Sequence, residues 1–117
     1  MSLFHRDGFD AALSQLPGVT FVDQWDARVA KVGGKVFCLL TDRAPHSLVF
    51  KCGEESFDIL TSLEGVTQAA YFAKRQWVSV ESDSALSDED VLAYATRSHA
   101  LIAKGLTKKL RAELGII

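Results

Sequence analysis

The sequence predicts an α+β fold, in which an antiparallel β-sheet of about five or six strands is covered by helices. Short segments with alternating apolar residues follow one another with short links, and strands joined in this way pair antiparallel. Apolar residues also recur at helical spacing near both ends of the chain and in its middle. The resulting order of elements is α-β-β-β-β-α-β-β-α-α.

The first half of the chain is predicted to form one helix and four strands. Phe9, Leu13 and Leu16 share one face of a helix between residues 7 and 16, which Pro17-Gly18 ends. Gly33-Gly34 separates two strand-like segments and predicts a two-residue hairpin turn. The four predicted strands span residues 19–24, 28–32, 35–41 and 47–52.

The second half begins with a predicted helix over residues 54–63, which Gly65 ends. Residues 67–72 are expected to be irregular and partly extended, and residues 76–81 form the last strand. Alternation within this strand places Val78 and Val80 on one face and Trp77 on the other. The indole of Trp77 is therefore expected either to be open to water or to be tucked under the C-terminal helix.

The C-terminal region is predicted to form one or two helices. Ser87 fits the N-cap position, because the three acids after it fill the first turn, where the helix dipole favours negative charge. Gly105 is expected to break the helical region in two. The apolar faces of the two parts consist of Val91, Ala95, Ser98 and Ile102, and then of Leu106, Leu110 and Leu114.

The composition is that of one globular domain spanning residues 1–117, with 48% hydrophobic and 24% charged residues. No apolar run approaches the ~18 residues of a membrane-spanning helix. The first residues lack the apolar stretch of a secretory signal. We therefore expect a cytoplasmic, monomeric protein without a membrane partner.

Patterns typical of catalytic or metal sites do not occur in the sequence. His5, His46 and His99 share no ligand spacing, and Cys38 and Cys52 form no CxxC pair. Neither a GxSxG motif nor a phosphate-binding loop is found. We expect no metal, no cofactor and no catalytic residues, and hence no enzyme. The cysteines are expected to be buried free thiols, although their spacing leaves a disulfide open.

Charge is segregated along the chain, although the formal net charge is only -2. Residues 81–90 carry five acids and no cation, whereas residues 103–117 carry four cations and the single acid Glu113. Helix electrostatics is one explanation, because acids near a helix start and bases near its end are both favoured. A nucleic-acid-binding surface is another, although the acidic net charge counts against a protein with positive potential all over its surface.

Four segments with characteristic wording follow one another along the chain: Val32-Gly33-Gly34-Lys35-Val36-Phe37, Leu48-Val49-Phe50-Lys51-Cys52, Lys74-Arg75-Gln76-Trp77-Val78-Ser79-Val80 and Leu106-Thr107-Lys108-Lys109-Leu110-Arg111. Their order and wording resemble the MmcQ/YjbR family over nearly the whole chain. The resemblance implies a small α+β fold of the kind grouped with secretion-chaperone-like architectures. It also implies DNA binding through a "double-wing" motif, which is a structural analogy rather than an activity signature.

The candidate DNA-binding residues are cations that neutralise phosphates, together with one aromatic residue. Lys31 is a possible extension of this patch, whereas Trp25 is expected to be a core or edge aromatic rather than a ligand platform. The alternative is a protein- or peptide-interaction module, in which the exposed sheet face or a strand edge receives a partner. The candidate DNA-binding residues are Lys74, Arg75, Trp77, Lys108, Lys109, Arg111, Lys35 and Lys51.

Overall fold

The computed structural model describes residues 2–116 and contains ten elements in the predicted order. Ser87 caps the third helix as predicted, because its side chain accepts a hydrogen bond from the Asp90 N–H. The helices are α1 (Arg6–Leu13), α2 (Glu54–Thr61), α3 (Asp88–Ala103) and α4 (Lys108–Glu113). The strands are β1 (Val19–Gln24), β2 (Ala27–Val32), β3 (Lys35–Thr41), β4 (Ser47–Lys51), β5 (Val66–Gln68) and β6 (Trp77–Glu81).

All six strands form one antiparallel sheet in the order β1-β2-β3-β4-β6-β5. The first four strands follow chain order because short links join them, and the predicted Gly33-Gly34 turn sets Val32 opposite Lys35. After β4 the chain passes through α2, and β6 then pairs with β4. The short strand β5 lies at the outer edge of β6 and overlaps the start of the segment predicted to be irregular and partly extended.

The main core lies between the sheet and its helices. α3 packs across β2, β3 and β4, and α2 packs on β5 and β6. Phe9, Phe37 and Phe50 are fully buried in this core, and Tyr94 of α3 stacks on Phe50 with ring centroids 5.9 Å apart. None of the four helices of residues 2–116 packs across the opposite face of the sheet, here called the helix-free face, although Ile102 near the end of α3 touches its cluster. That second, smaller cluster of buried residues contains Ala27, Val29, Leu39, Val49, Ala69 and Trp77.

A β-bulge opens the sheet where α3 crosses it. The register between β2 and β3 shifts at Ala30/Lys31, so that Phe37 is an extra residue on β3. Pairing between β3 and β4 also stops before Phe37 and Lys51. The buried Ser98 hydroxyl of α3 fills this gap, because it donates to the Phe37 carbonyl at 2.6 Å and accepts from the Lys51 N–H at 2.9 Å.

The strand registers define two ends of the sheet. We call one the Gly33 end; it contains the Gly33-Gly34 turn, the last residue of β4, Lys51, and the first residue of β6, Trp77. We call the other the Trp25 end; it contains the Trp25-Asp26 turn and the last residue of β6, Glu81.

Cys38 and Cys52 are buried free thiols, as the sequence predicted. Burial raises the pKa of the Cys38 thiol well above its usual range, and it also raises the pKa of Cys52. Because the thiolate is the reactive form, we expect neither cysteine to react with a disulfide reagent in the folded protein. Both should react at once in denaturant. Rapid labelling of the native protein would contradict this assignment.

Candidate functional site

Predicted DNA-binding residues converge at the Gly33 end. Lys35 begins β3, Lys51 ends β4, and both therefore lie at this end of neighbouring strands. Lys74 and Arg75 lie in the loop that leads into Trp77, and the Arg75 N–H is held by the Gln68 side chain at the end of β5. Lys31, on β2 opposite Val36, lies at the same end.

The C-terminal cations lie at the Gly33 end as well. A Cβ atom on Gly33 would lie 2.7 Å from Leu106, and one on Gly18 would lie 2.9 Å from Leu114, so the segment containing α4 packs directly on the turns that flank β1, β2 and β3. Thr107 caps α4 by accepting a hydrogen bond from the Leu110 N–H. Lys104, Lys108, Lys109 and Arg111 therefore lie at one corner of this end.

The acidic segment lies far from these cations. The contacts of Ser98 with Phe37 and Lys51 direct the C-terminal half of α3 toward the Gly33 end. Its N-terminus, which carries three acids, consequently points away from that end. Asp26 and Glu81 lie at the Trp25 end by register. The segregation of charge seen along the sequence is therefore also a segregation in space.

The lysines and the arginines differ in their partners. All six salt bridges of residues 2–116 use arginine, and no lysine in this range lies within 4.0 Å of a carboxylate. Arg75 donates to both carboxylate oxygens of Asp58 at 3.1 Å and lies over the Phe57 ring, so its charge is already partly engaged. The buried Nε of Arg111 has no hydrogen-bond partner within the described residues.

Trp77 is not open to water, and its expected role as an exposed docking aromatic is wrong. The side chain faces away from the helices, as the alternation predicted, but it is only 7% exposed. Phe72, from the loop after β5, stacks on the indole with a centroid distance of 4.3 Å. The stacking cover comes from a loop on the helix-free face rather than from the C-terminal helix, and Ile102 near the end of α3 packs against the same cluster.

A groove of about 590 Å³ lies beside Trp77 on the helix-free face, and the sequence did not reveal it. Leu39 and Val49 lie in its floor, and the loop carrying Tyr71 and Phe72 borders it. Trp25, at the Trp25-Asp26 turn, also lines it; this residue is 64% exposed rather than a core or edge aromatic. The full lining is Trp25, Ala27, Leu39, Thr41, Val49, Ala70, Tyr71, Phe72 and Ser79.

Two exposed aromatic residues of this groove have left-handed backbone conformations. The φ angles are 56° at Trp25, 53° at Asp26 and 68° at Tyr71. Positive φ at both residues of the Trp25-Asp26 turn matches a two-residue hairpin, for which Asn and Gly are the usual residues. A bulky residue with positive φ is a genuine outlier, and such strain concentrates at functional sites.

Two further kinds of feature, metal-ligand clusters and membrane-spanning helices, do not occur among the described residues. Residues 2–116 contain no group of three or more His, Cys, Asp or Glu side chains placed to hold a metal ion. No helix in this part of the chain is long and apolar enough to cross a membrane.

Comparisons with known proteins place these features in a wider context. Residues 14–101 match the family model described as YjbR. The protein DR2400 of Deinococcus radiodurans, which contains the domain DUF419, is a structural neighbour with a TM-score of 0.85 and 24% sequence identity, covering 95% of this chain and 88% of its own. A Pseudomonas syringae protein from a structural genomics consortium has a TM-score of 0.71 and 18% identity, covering 83% of this chain and 97% of its own. A search of curated proteins finds no match.

Proposed function

Because the chain belongs to the YjbR family, we propose that it is a cytoplasmic DNA-binding protein whose Gly33 end contacts the phosphates of a duplex. One observation carries the proposal: the lysines of the chain gather at this end, and none of them lies within 4.0 Å of a carboxylate among the described residues. The acidic segment 81–90 lies away from this end, and two of the acids of α2, Glu55 and Asp58, are paired with arginines. Lysines of this kind can exchange solvent for phosphate without first breaking an ion pair. The residues are Lys31, Lys35, Lys51, Lys74, Lys104, Lys108 and Lys109.

The dimensions of the Gly33 end suit a duplex. Neighbouring strands lie about 4.8 Å apart, so the three steps from β2 to β6 span about 14 Å. The α4 corner and the Lys74 loop extend this span at both sides. The major groove of B-DNA is about 12 Å wide, so cations at the two corners can reach phosphates on both of its sides. The acids at the Trp25 end repel DNA and favour a single orientation.

A charge reversal at both corners tests the proposal. We expect Lys74→Glu combined with Lys108→Glu to weaken binding of a short duplex by at least about tenfold in low salt, because two phosphate contacts become repulsive. The logarithm of the association constant decreases linearly with the logarithm of the salt concentration, and the magnitude of this slope should become smaller by about two. Fluorescence anisotropy at several salt concentrations measures both quantities.

Arg43→Glu is the matched control. Arg43 is 82% exposed and makes only one weak contact, to Asp26 at the Trp25 end. This variant changes the net charge by the same amount per residue but leaves the Gly33 end unaltered, so we expect the affinity for DNA to remain within about twofold. The proposal is wrong if both variants lose the same affinity for DNA per charge reversed. It is also wrong if the unaltered protein does not bind DNA at low salt.

A protein-interaction module is the second candidate, and the edge strand β1 favours it. β1 has six residues and pairs only with β2, whereas the other edge strand, β5, has three. An unpaired edge of this length is a template for strand addition by a partner. Failure of DNA binding together with capture of an extended peptide at β1 would support this candidate instead. Hydrogen-bonded pairs alternate along an antiparallel ladder, and the Gln24–Ala27 pair closes the two-residue turn, so the N–H of Asp23 points away from β2. A proline substitution at Asp23 would then abolish capture without altering binding of DNA.

A further inference from the structure

We propose that the groove on the helix-free face is a binding site for a small, uncharged, flat aromatic molecule. The site is separate from the lysines of the Gly33 end, and the inference does not depend on DNA binding. The volume of about 590 Å³ falls within the range of about 300 to 1,000 Å³ that is typical of small-molecule sites. The groove is bordered by the Trp25-Asp26 turn and by the loop carrying Tyr71 and Phe72.

The lining residues determine the charge of the ligand. None of them carries a charged side chain. A charged molecule would lose its hydration on entering this apolar site and would find no opposite charge among the lining residues. An uncharged molecule has no such cost, and its apolar surface is removed from water on Leu39 and Val49.

The aromatic residues determine the shape of the ligand. Trp25 and Tyr71 are 64% and 104% exposed, and each has a face available for stacking. Phe72 adds a third ring that is held in place by its stack on Trp77. Aromatic rings stack best on other flat rings, in offset or edge-to-face arrangements. A flat aromatic molecule therefore uses this lining better than a branched aliphatic one.

Thr41 and Ser79 each bring a hydroxyl group to the groove, in addition to the phenol of Tyr71 and the indole N–H of Trp25. Thr41 Oγ1 is already engaged, because it accepts a hydrogen bond from the Ser47 N–H at 2.9 Å. Ser79 lies half-buried on β6, between Val49 and Thr67 of the neighbouring strands. Its hydroxyl can donate to or accept from one polar atom of the ligand. A small number of polar groups in an otherwise apolar site usually fixes the orientation of a ligand.

The strained backbone at Trp25 and Tyr71, which line the groove, supports a functional role for it, because strain of this kind concentrates at functional sites. Trp25 and Tyr71 have φ angles of 56° and 68°, which cost folding energy for bulky residues. Asparagine adopts this conformation more easily, so Trp25→Asn and Tyr71→Asn should leave the melting temperature unchanged or raise it. Loss of ligand binding in these variants therefore cannot be attributed to unfolding.

Two fluorescent probes that share an anilinonaphthalene skeleton test the proposal. N-phenyl-1-naphthylamine is uncharged, whereas 1-anilinonaphthalene-8-sulfonate carries a negative charge. We expect the uncharged probe to bind at least about tenfold more tightly than the charged one, since no cation lines the groove. Trp25→Asn and Tyr71→Asn should each weaken binding of the uncharged probe by about tenfold.

Ile59→Asn provides the matched control. Ile59 is the third exposed large hydrophobic residue, at 68% exposure, and it lies on α2 outside the groove. The control should bind the uncharged probe like the unaltered protein. Equal loss in the control, or equal affinity for the two probes, would overturn the proposal. Indole, an apolar peptide and a single-stranded oligonucleotide can each be tested as competitors of the bound probe. If the peptide or the oligonucleotide displaces the probe at a lower concentration than indole does, the proposal of a small-molecule ligand is wrong.

Discussion

Replacing Trp77 with alanine lowers the free energy of unfolding by about 3 to 5 kcal/mol, as expected when a large buried aromatic side chain is truncated. The indole is 7% exposed in the cluster on the helix-free face, and Phe72 stacks on it at 4.3 Å. Truncation removes the surface that holds Phe72 and therefore releases the loop over the groove. Urea denaturation measures the change, and binding of the uncharged probe should weaken in parallel.

Trp25→Ala is the matched control for Trp77→Ala, because both remove an indole from the same side of the sheet. Trp25 is 64% exposed, so its removal should change the free energy of unfolding by no more than about 0.5 kcal/mol. Trp77→Phe should retain most of the stability lost in Trp77→Ala, because a smaller ring can still stack with Phe72. Similar losses for Trp77→Ala and Trp25→Ala would mean that Phe72 does not cover the indole.

For Trp77, the sequence predicts the face of the sheet on which the side chain lies but not its burial. Alternation along β6 identified the face on which the indole lies, because side chains of a strand point to opposite sides in turn. The cover over that face comes from Phe72, whose placement depends on how the loop after β5 folds back across the sheet. No local pattern encodes that path. The sequence therefore predicted the direction of the side chain correctly and its exposure incorrectly.

The two hairpin turns near the N-terminus illustrate the same limit. Gly33-Gly34 was predicted because glycine is the usual residue for positive φ in a two-residue turn. Trp25-Asp26 adopts positive φ at both residues but contains no glycine or asparagine, so the usual signal is missing. The groove was missed for this reason, since one of its borders is a turn with an unusual sequence.

The sequence predicts which residues belong to the candidate DNA-binding surface, but it does not predict that they lie together at one end of the sheet. Motif wording and local charge indicate Lys35, Lys51 and Lys74 as candidates. Their meeting at one end of the sheet depends on β6 pairing with β4, which a helical connection separates in sequence. Pairing across such a connection is not specified by local spacing. The engagement of Arg75 by Asp58 depends equally on how α2 packs beside the sheet.

Ser98→Ala is expected to lower the free energy of unfolding by about 2 to 4 kcal/mol, because it leaves two buried backbone groups without partners. The hydroxyl receives the Lys51 N–H and donates to the Phe37 carbonyl, in a gap that the β-bulge opens between β3 and β4. Alanine fits the space but cannot replace either hydrogen bond. Chemical denaturation measures the loss, and hydrogen exchange should show faster exchange at the Lys51 amide.

Thr96→Ala is the corresponding control on the same helix. The Thr96 hydroxyl is exposed and donates only to the Leu92 carbonyl of its own helix, so its loss should cost less than about 0.5 kcal/mol. A Ser98→Ala variant as stable as Thr96→Ala would show that the strands close the gap without the hydroxyl. If the loss is as large as expected, Ser98 also holds Lys51 at the Gly33 end, and a single buried hydroxyl then connects the packing of α3 to the surface proposed to bind DNA.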